Sequence, residues 1–276
     1  MQTVFALCIR NLKIFVRNRT GLALSVAFPF FFIWVFSEIF SFYVAENPLS
    51  FMLAGIAIAT VFDVALRISS STIDDMTGGF MKEVLVSPVS RLSVAGGQFM
   101  SSAIISTIQG LIILLGGIFL GFRITEIITA VQIILAMVVV GFVFAGFGLF
   151  IASNAKNMQT FQVVSMAITM PMTFLSGAYI PLSLVPGVLQ YISWVNPLTY
   201  AVSLFRIISL ERLNATADML IAEGLAVQIR GFAIMPWMSA LILVCFGGLF
   251  LILSTLTFAK ADFSKMTRNA GDMVDW

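Results

Sequence analysis

The sequence contains no histidine. That removes the commonest general base and the commonest metal ligand at neutral pH. Cysteine is nearly missing too. Cys8 and Cys245 stand far apart, so neither a disulfide framework nor a cysteine zinc site is to be built from them. Charge is the third scarcity: Asp, Glu, Lys and Arg make up 10% of the 276 residues, where soluble domains carry about 25%. The chain has no G-x-x-x-x-G-K-[ST] stretch, and so no phosphate loop with which to hydrolyse ATP itself. H-E-x-x-H and G-x-S-x-G are also missing, and Asp74-Asp75 alone is a weak metal signal. An enzyme needs convergent polar groups, and the sequence supplies few. No catalytic residue, cofactor or metal is expected on this chain, and a net charge of +2 gives no reason to expect a nucleic-acid partner.

What is present is apolar. The hydrophobic fraction is 60%, with 27 Phe and 15 Met, and the mean hydropathy is +1.05. Lipid is therefore the expected solvent. A helix needs about 20 apolar residues to cross the hydrocarbon core. Six stretches qualify: 21–44, 50–70, 99–120, 127–152, 161–182 and 231–258. The second is the weakest, because it holds Asp63 and Arg67. Before them, residues 2–19 read as an amphipathic helix. Phe5, Cys8, Ile9, Leu12, Phe15 and Val16 keep helical spacing, while Arg10, Lys13 and Arg17 fall opposite. A helix of this kind lies in the membrane interface with its cations towards lipid phosphates. No cleavable leader is expected, since apolar and charged residues are interleaved there.

The expected fold is an all-α integral membrane protein: six transmembrane helices, an N-terminal interfacial helix and an external re-entrant hairpin between spans five and six. It forms a single domain over 1–276. The interfacial helix occupies 1–20, spans one and two 21–72, a cytoplasmic loop 73–98, and spans three to five 99–182. The external hairpin and loop occupy 183–230, span six 231–258 and a tail 259–276. Orientation follows from Lys and Arg. Arg10, Lys13, Arg17, Arg19, Lys82, Arg91, Lys156, Lys260, Lys265 and Arg268 fall on one side, and Arg123, Arg206, Arg212 and Arg230 on the other. Both termini are therefore expected in the cytoplasm of a prokaryotic plasma membrane protein. Between 183 and 230, the apolar pieces 184–195 and 198–210 are too short to span, and Asn196-Pro197 separates them. Such a pair either dips in and returns, which needs protein or a water-filled cavity around it, or lies flat on the surface.

Three groups of residues carry candidate function. Asp63 and Arg67 are four apart and can pair along one helix face. Charge inside a membrane is costly unless paired or facing water. They border a substrate route or a subunit interface, or Arg67 anchors the span at the cytoplasmic boundary. The second group is the polar island at 74–91. Gly78-Gly79 breaks the extension of span two, residues 80–86 make about two helical turns, Pro88 stops them, and Ser90 can cap the next helix. A partner could cover Phe80, Met81, Val84 and Leu85, with Lys82 and Glu83 at the rim; the alternative is a solvated loop. The third is the hairpin around Asn196-Pro197.

Glu83-Val-Leu-Val-Ser-Pro-Val-Ser-Arg91 resembles the first cytoplasmic loop of type-2 ATP-binding-cassette exporter permeases. Ser176-Gly-Ala-Tyr-Ile-Pro181, Leu189-Gln-Tyr-Ile-Ser-Trp-Val-Asn-Pro-Leu-Thr-Tyr200 and Arg206 resemble that family's segment between spans five and six. The flavour is that of the daunorubicin-resistance drug-export permeases, and the likeness covers essentially the whole chain. The resemblance implies a half-transporter that pairs with a second copy of itself. Each copy binds a separate nucleotide-binding ATPase subunit, two in all, which holds the ATP and Mg. It implies an ATPase-coupling site at Gly79, Phe80, Met81, Lys82, Glu83, Val84, Leu85, Pro88 and Arg91. It implies an external gate at Pro181, Pro186, Trp194, Asn196, Pro197, Tyr200 and Arg206, and a path along spans one, two and five. One departure is Gly78-Gly79-Phe80-Met81-Lys82, where many relatives have an acidic-Gly-Thr-Leu-Glu run; it changes the charges at the ATPase groove. The implied function is ATP-driven export of an amphipathic drug, lipid or lipid-linked glycan. The rivals are a secondary transporter without an ATPase, a lipid-modifying membrane enzyme and a non-transporting assembly subunit.

Overall fold

The computed structural model describes residues 2–41, 47–77 and 91–260. The coupling-loop residues Gly79, Phe80, Met81, Lys82, Glu83, Val84, Leu85 and Pro88, with the rest of 78–90 and the tail from 261, lie outside the described residues. Arg91 opens a helix, and its side chain is likewise not described.

The chain begins with α1 (Gln2–Arg17), then α2 (Arg19–Ile39), α3 (Pro48–Ser69) and the short α4 (Ser71–Thr77). After the loop come α5 (Arg91–Phe119), α6 (Ile127–Asn154) and α7 (Met158–Leu175). A 3-10 turn (Leu182–Leu184) leads to α8 (Gly187–Val195), α9 (Pro197–Ser209) and α10 (Ala217–Ala222). Strands β1 (Gln228–Ile229) and β2 (Phe232–Ala233) pair antiparallel, and α11 (Pro236–Lys260) ends the described chain. Among the described residues five helices are long and apolar enough to cross a membrane: α2, α3 running on through α4, α5, α6 and α11.

The bundle is built around α3. Its apolar residues between Phe51 and Leu66 are buried, and it packs against α2, α5, α6 and α9. Read from sequence it is the weakest span; in the bundle it is the best enclosed. Its two charges lie on the one face that stays exposed, and the rest of its surface is buried and mostly apolar. Helices in lipid gain little from excluding water and associate through close packing. The α3–α5 contact shows how. Gly110 and Gly117 of α5 lie directly against Val61 and Leu53 of α3, where a Cβ would not fit. The outer helices α2 and α11 are far less enclosed and turn large apolar residues outward, among them Trp34, Phe28, Leu241 and Val244.

Several expected boundaries move. Span three starts about two turns early, at Arg91, and Gln98, expected in the loop, is a buried polar residue of the helix. Span five stops at Leu175 and not at 182. Ser176 Oγ donates back to Thr173 O, and Gly177 takes φ +87, a left-handed turn that glycine accepts without strain. Helix α7 thus has 18 residues, a length of about 27 Å. Span six starts at Pro236 and not at 231, because residues 228–233 form a small β-hairpin, with Arg230 (φ +49) and Gly231 (φ +87) at its turn. Among the described residues the regular structure is therefore helical with one short two-stranded exception.

Helices α8 and α9 meet at Asn196, as the Asn196-Pro197 pair requires. Asn196 Oδ1 accepts from Leu198 N at 3.0 Å, capping α9, and Pro197 occupies the first turn, where its missing N–H costs nothing. Nearly every residue of α9 is buried, against α3, α6 and α11.

Candidate functional site

Asp63 and Arg67 lie one helical turn apart on the exposed face of α3, their side chains 57% and 51% accessible, with Arg67 Nη2 4.0 Å from Asp63 Oδ2. Both line a cleft of about 480 Å³ between α2, α3 and α7. Phe28 and Phe32 of α2 and Met170 and Phe174 of α7 form its apolar walls, and Tyr179 closes one end. The ring of Tyr179 packs edge-on against Phe32 and tilted against Phe174, with centroids 5.4 Å apart in each case. Thr173 lines the same cleft; it is buried, and its Oγ1 has no partner among the described residues.

Prolines shape both side walls. Pro29 lies inside α2 and Pro171 inside α7. An interior proline removes the bond to the carbonyl four residues back, which in α2 is that of Ser25. Gln109 of α5, fully buried, donates its Nε2 to Ser25 O at 3.1 Å and so satisfies the carbonyl that Pro29 frees.

The hairpin residues form one connected structure. Pro181 is buried at the start of the 3-10 turn, and Pro186 precedes α8. Asn196 Nδ2 donates to Met172 O of α7 at 2.7 Å. Trp194 Nε1 donates to Gln228 O at 3.1 Å, and the Tyr200 hydroxyl donates to Trp194 O. Arg206, counted above among the external charges, is in fact enclosed in the bundle at 2% exposure. Its Nε donates to Phe51 O (3.1 Å) and its Nη2 to Ala178 O (3.2 Å), and its guanidinium lies 3.6 Å over the Phe51 ring. It thereby joins α9, α3 and the turn after α7. Gly55 makes room for it: a Cβ there would stand 2.5 Å from Arg206 Nη2 and 2.7 Å from Ala178 O. Outside the bundle, Glu211 accepts from Thr125 N at 2.9 Å, and that bond holds its carboxyl below the ordinary value.

At the opposite end a polar network escaped the sequence reading. Arg10 Nη2 contacts both carboxylate oxygens of Asp75, at 2.6 and 2.8 Å. Gln98 Nε2 donates to the same carboxylate, and Asn11 Nδ2 donates to Gln98 Oε1 (2.8 Å) and Ser101 Oγ (2.9 Å). Arg10 therefore does not project to lipid phosphates as its helical face implies, and Asp75 is occupied by a guanidinium rather than free for a metal. Asn11 was the available signal, a lone amide on the apolar side of α1 between Cys8 and Phe15. The network ties α1 to α4 and α5, the two helices that border 78–90.

A bundle of long apolar helices that opens a charged, aromatic cleft at its side is the architecture of a multi-pass membrane transport protein. Residues 2–210 match the ABC-2 type transporter family, and the chain belongs to that family. It is 30% identical over 164 residues to ycf38 of Cyanophora paradoxa, named a transport permease, covering 58% of this chain and 56% of that one. It is 28% identical over 164 residues to YbhR of Escherichia coli, named a multidrug ABC transporter permease, covering 59% of this chain and 44% of that one. Nodulation protein J of Sinorhizobium fredii is 31% identical over 100 residues, 35% of each chain. The matched regions thus span about half or less of these relatives' lengths.

Proposed function

We propose that this chain is the transmembrane subunit of an ATP-driven exporter and works as a pair of copies, each bound to a separate ATPase that holds ATP and Mg. Its cargo is an amphipathic drug, lipid or lipid-linked glycan. The observation that carries the reading is the course of α3. The most enclosed helix of the bundle bears Asp63 and Arg67 on the cleft and runs through α4 directly to residues 78–90. The resemblance of 83–91 to a coupling loop makes that segment the handle. A push there moves α3, and Arg206 passes the movement to α9 through Phe51 O and Ala178 O. The outer walls separate and the hairpin at Asn196-Pro197 gates the external end, an alternating-access cycle by rigid-body motion.

What supports the hairpin as re-entrant is the burial of α9 against three long helices, since irregular backbone at membrane depth needs protein around it. Helix α7 serves as the remaining crossing, its length of about 27 Å matching a bilayer core with little tilt. The multidrug naming of YbhR favours the drug branch of the cargo classes.

Co-purification tests the reading. The chain should bring down a soluble ATPase, and replacing residues 79–87 should abolish both that association and ATP-dependent transport while the bundle still folds. Unchanged ATPase binding and coupled transport in the replacement variant would refute the coupling assignment. Transport by the chain alone would favour the secondary-transporter alternative.

A further inference from the structure

The two halves of α2 are held in different ways. All of its buried residues, Pro29, Ile33 and Ser37, lie from the proline outward. In that half the Phe30 ring occupies a notch at Gly116 of α5, where a Cβ would collide with it, and Phe32 and Phe36 rest against Tyr179. The other half, residues 19–28, has no buried residue, and Leu24 and Phe28 face outward. Asn18 caps its first turn, accepting from Gly21 N at 3.0 Å, and Pro29 follows its last residue. Between these ends Gln109 reaches it from α5.

Gln109 is a costly residue to place there. It is 0% exposed, and its Oε1 has no partner among the described residues. A buried acceptor without a donor is destabilising, and an apolar side chain of the same size would avoid it. Packing alone therefore does not account for an amide. The donor side does: Nε2 lies 3.1 Å from Ser25 O, the carbonyl that Pro29 leaves free. An ordinary backbone bond to that carbonyl would stiffen α2 and leave it able to move as a unit. A bond supplied by α5 instead fixes where residues 19–28 stand.

That half of α2 borders two spaces. Gly21, Leu24, Ser25 and Phe28 line the α2–α3–α7 cleft, and Asn18, Gly21, Leu22 and Ser25 line a smaller cavity of about 220 Å³ beneath α1. Gly21 and Ser25 belong to both, so the two spaces adjoin at the residue that Gln109 holds. We propose that Gln109 is a positioning residue, whose single bond to Ser25 O holds residues 19–28 against α5 and sets the width of the passage between these spaces. Once that bond breaks, the segment moves off α5 about Pro29 while the outer half stays seated. This rests on the permease reading for its purpose, and it assigns a role to a residue that lines neither space.

The test uses the full chain in phosphatidylcholine nanodiscs, with Cys8→Ser and Cys245→Ala removing the native thiols. One trifluoromethyl label is placed on Ala23→Cys or on Trp34→Cys, both exposed positions, and read by fluorine NMR. Gln109→Met, which keeps the bulk and loses the donor, should raise the share of a second Ala23→Cys resonance about fivefold, the size of one hydrogen bond. The Trp34→Cys spectrum should not change. The deciding arm is Pro29→Ala, which returns a backbone N–H to Ser25 O. In that background Gln109→Met should produce no further change at Ala23→Cys. An equal response of both labels would make Gln109 a general packing residue and overturn the proposal. The same fivefold rise in the Pro29→Ala background would separate Gln109 from Ser25 O and overturn it too, as would no response at Ala23→Cys. If Gln109→Met folds only together with Pro29→Ala, the assignment stands; if it folds in neither background, the core needs the glutamine for another reason and the assignment falls. Failure of the chain to bind an ATPase would refute the permease reading and leave these spectra as they are.

Discussion

Arg206 is the residue whose environment departs furthest from expectation. A fully enclosed guanidinium with two backbone carbonyls and an aromatic face stays charged at the cost of desolvation, and removing it orphans the acceptors it satisfied. Arg206→Ala should lower stability by about 2–4 kcal/mol, from unpaired carbonyls plus the void. The check is the thermal or denaturant midpoint of the purified chain. Arg206→Lys should fall between the two, since an ammonium cannot reach both carbonyls while lying flat on Phe51. A parent-like midpoint for Arg206→Ala would contradict the bracing role. In sequence Arg206 was visible as a charge but not as a buried one, because nothing local marks Phe51 O and Ala178 O, some 155 and 28 positions away, as its acceptors.

At the scale of elements, the cytoplasmic end is fastened by side chains rather than by apolar packing alone. Asp75 is buried and depends on Arg10 and Gln98. Breaking a buried pair from one side costs about 3–5 kcal/mol, whereas replacing both partners costs much less. Arg10→Ala should therefore destabilise the chain more than the double variant Arg10→Ala/Asp75→Ala, and a thermal-melt mutant cycle reads the difference. Additive effects would mean that α1 is not held through this pair. Element positions were largely legible from sequence: the apolar runs located α2, α3, α6 and the α8–α9 break at Asn196. What escaped were ends and exceptions. The start of α5 was hidden because Gln98 read as loop, while its partners Asn11 and Asp75 lie far away in the chain. The Gly177 stop and the Arg230-Gly231 turn each rest on a backbone angle that an apolar count cannot register.

For the whole molecule, orientation is the property to measure. With Arg206 withdrawn into the bundle, the proposed external side keeps only Arg123, Arg212 and Arg230, which sharpens the Lys and Arg asymmetry. In intact cells, Asn214→Cys in a background free of native thiols should label with an impermeant reagent from outside, and Lys156→Cys only after the membrane is opened. The reverse pattern would refute the orientation, and labelling of both from one side would refute six crossings with α7 among them. The cleft itself was half legible. Asp63 and Arg67 announced a charged face, but the walls that meet them come from Phe28, Phe32, Phe174 and Tyr179, ordinary apolar residues until the helices are assembled. Those walls do not resist deformation equally. Between Pro48 and Ser69, α3 is an unbroken rod, while α2 and α7 each lose a rung of their ladder mid-length, at Pro29 and Pro171. The cleft is thus a vice with one fixed jaw and two compliant ones. In the proposed exporter, cargo of different girth would be accommodated by the bending of α2 and α7 while the charged pair keeps its place on the fixed jaw, so breadth of selection and constancy of the polar anchor would come from different helices.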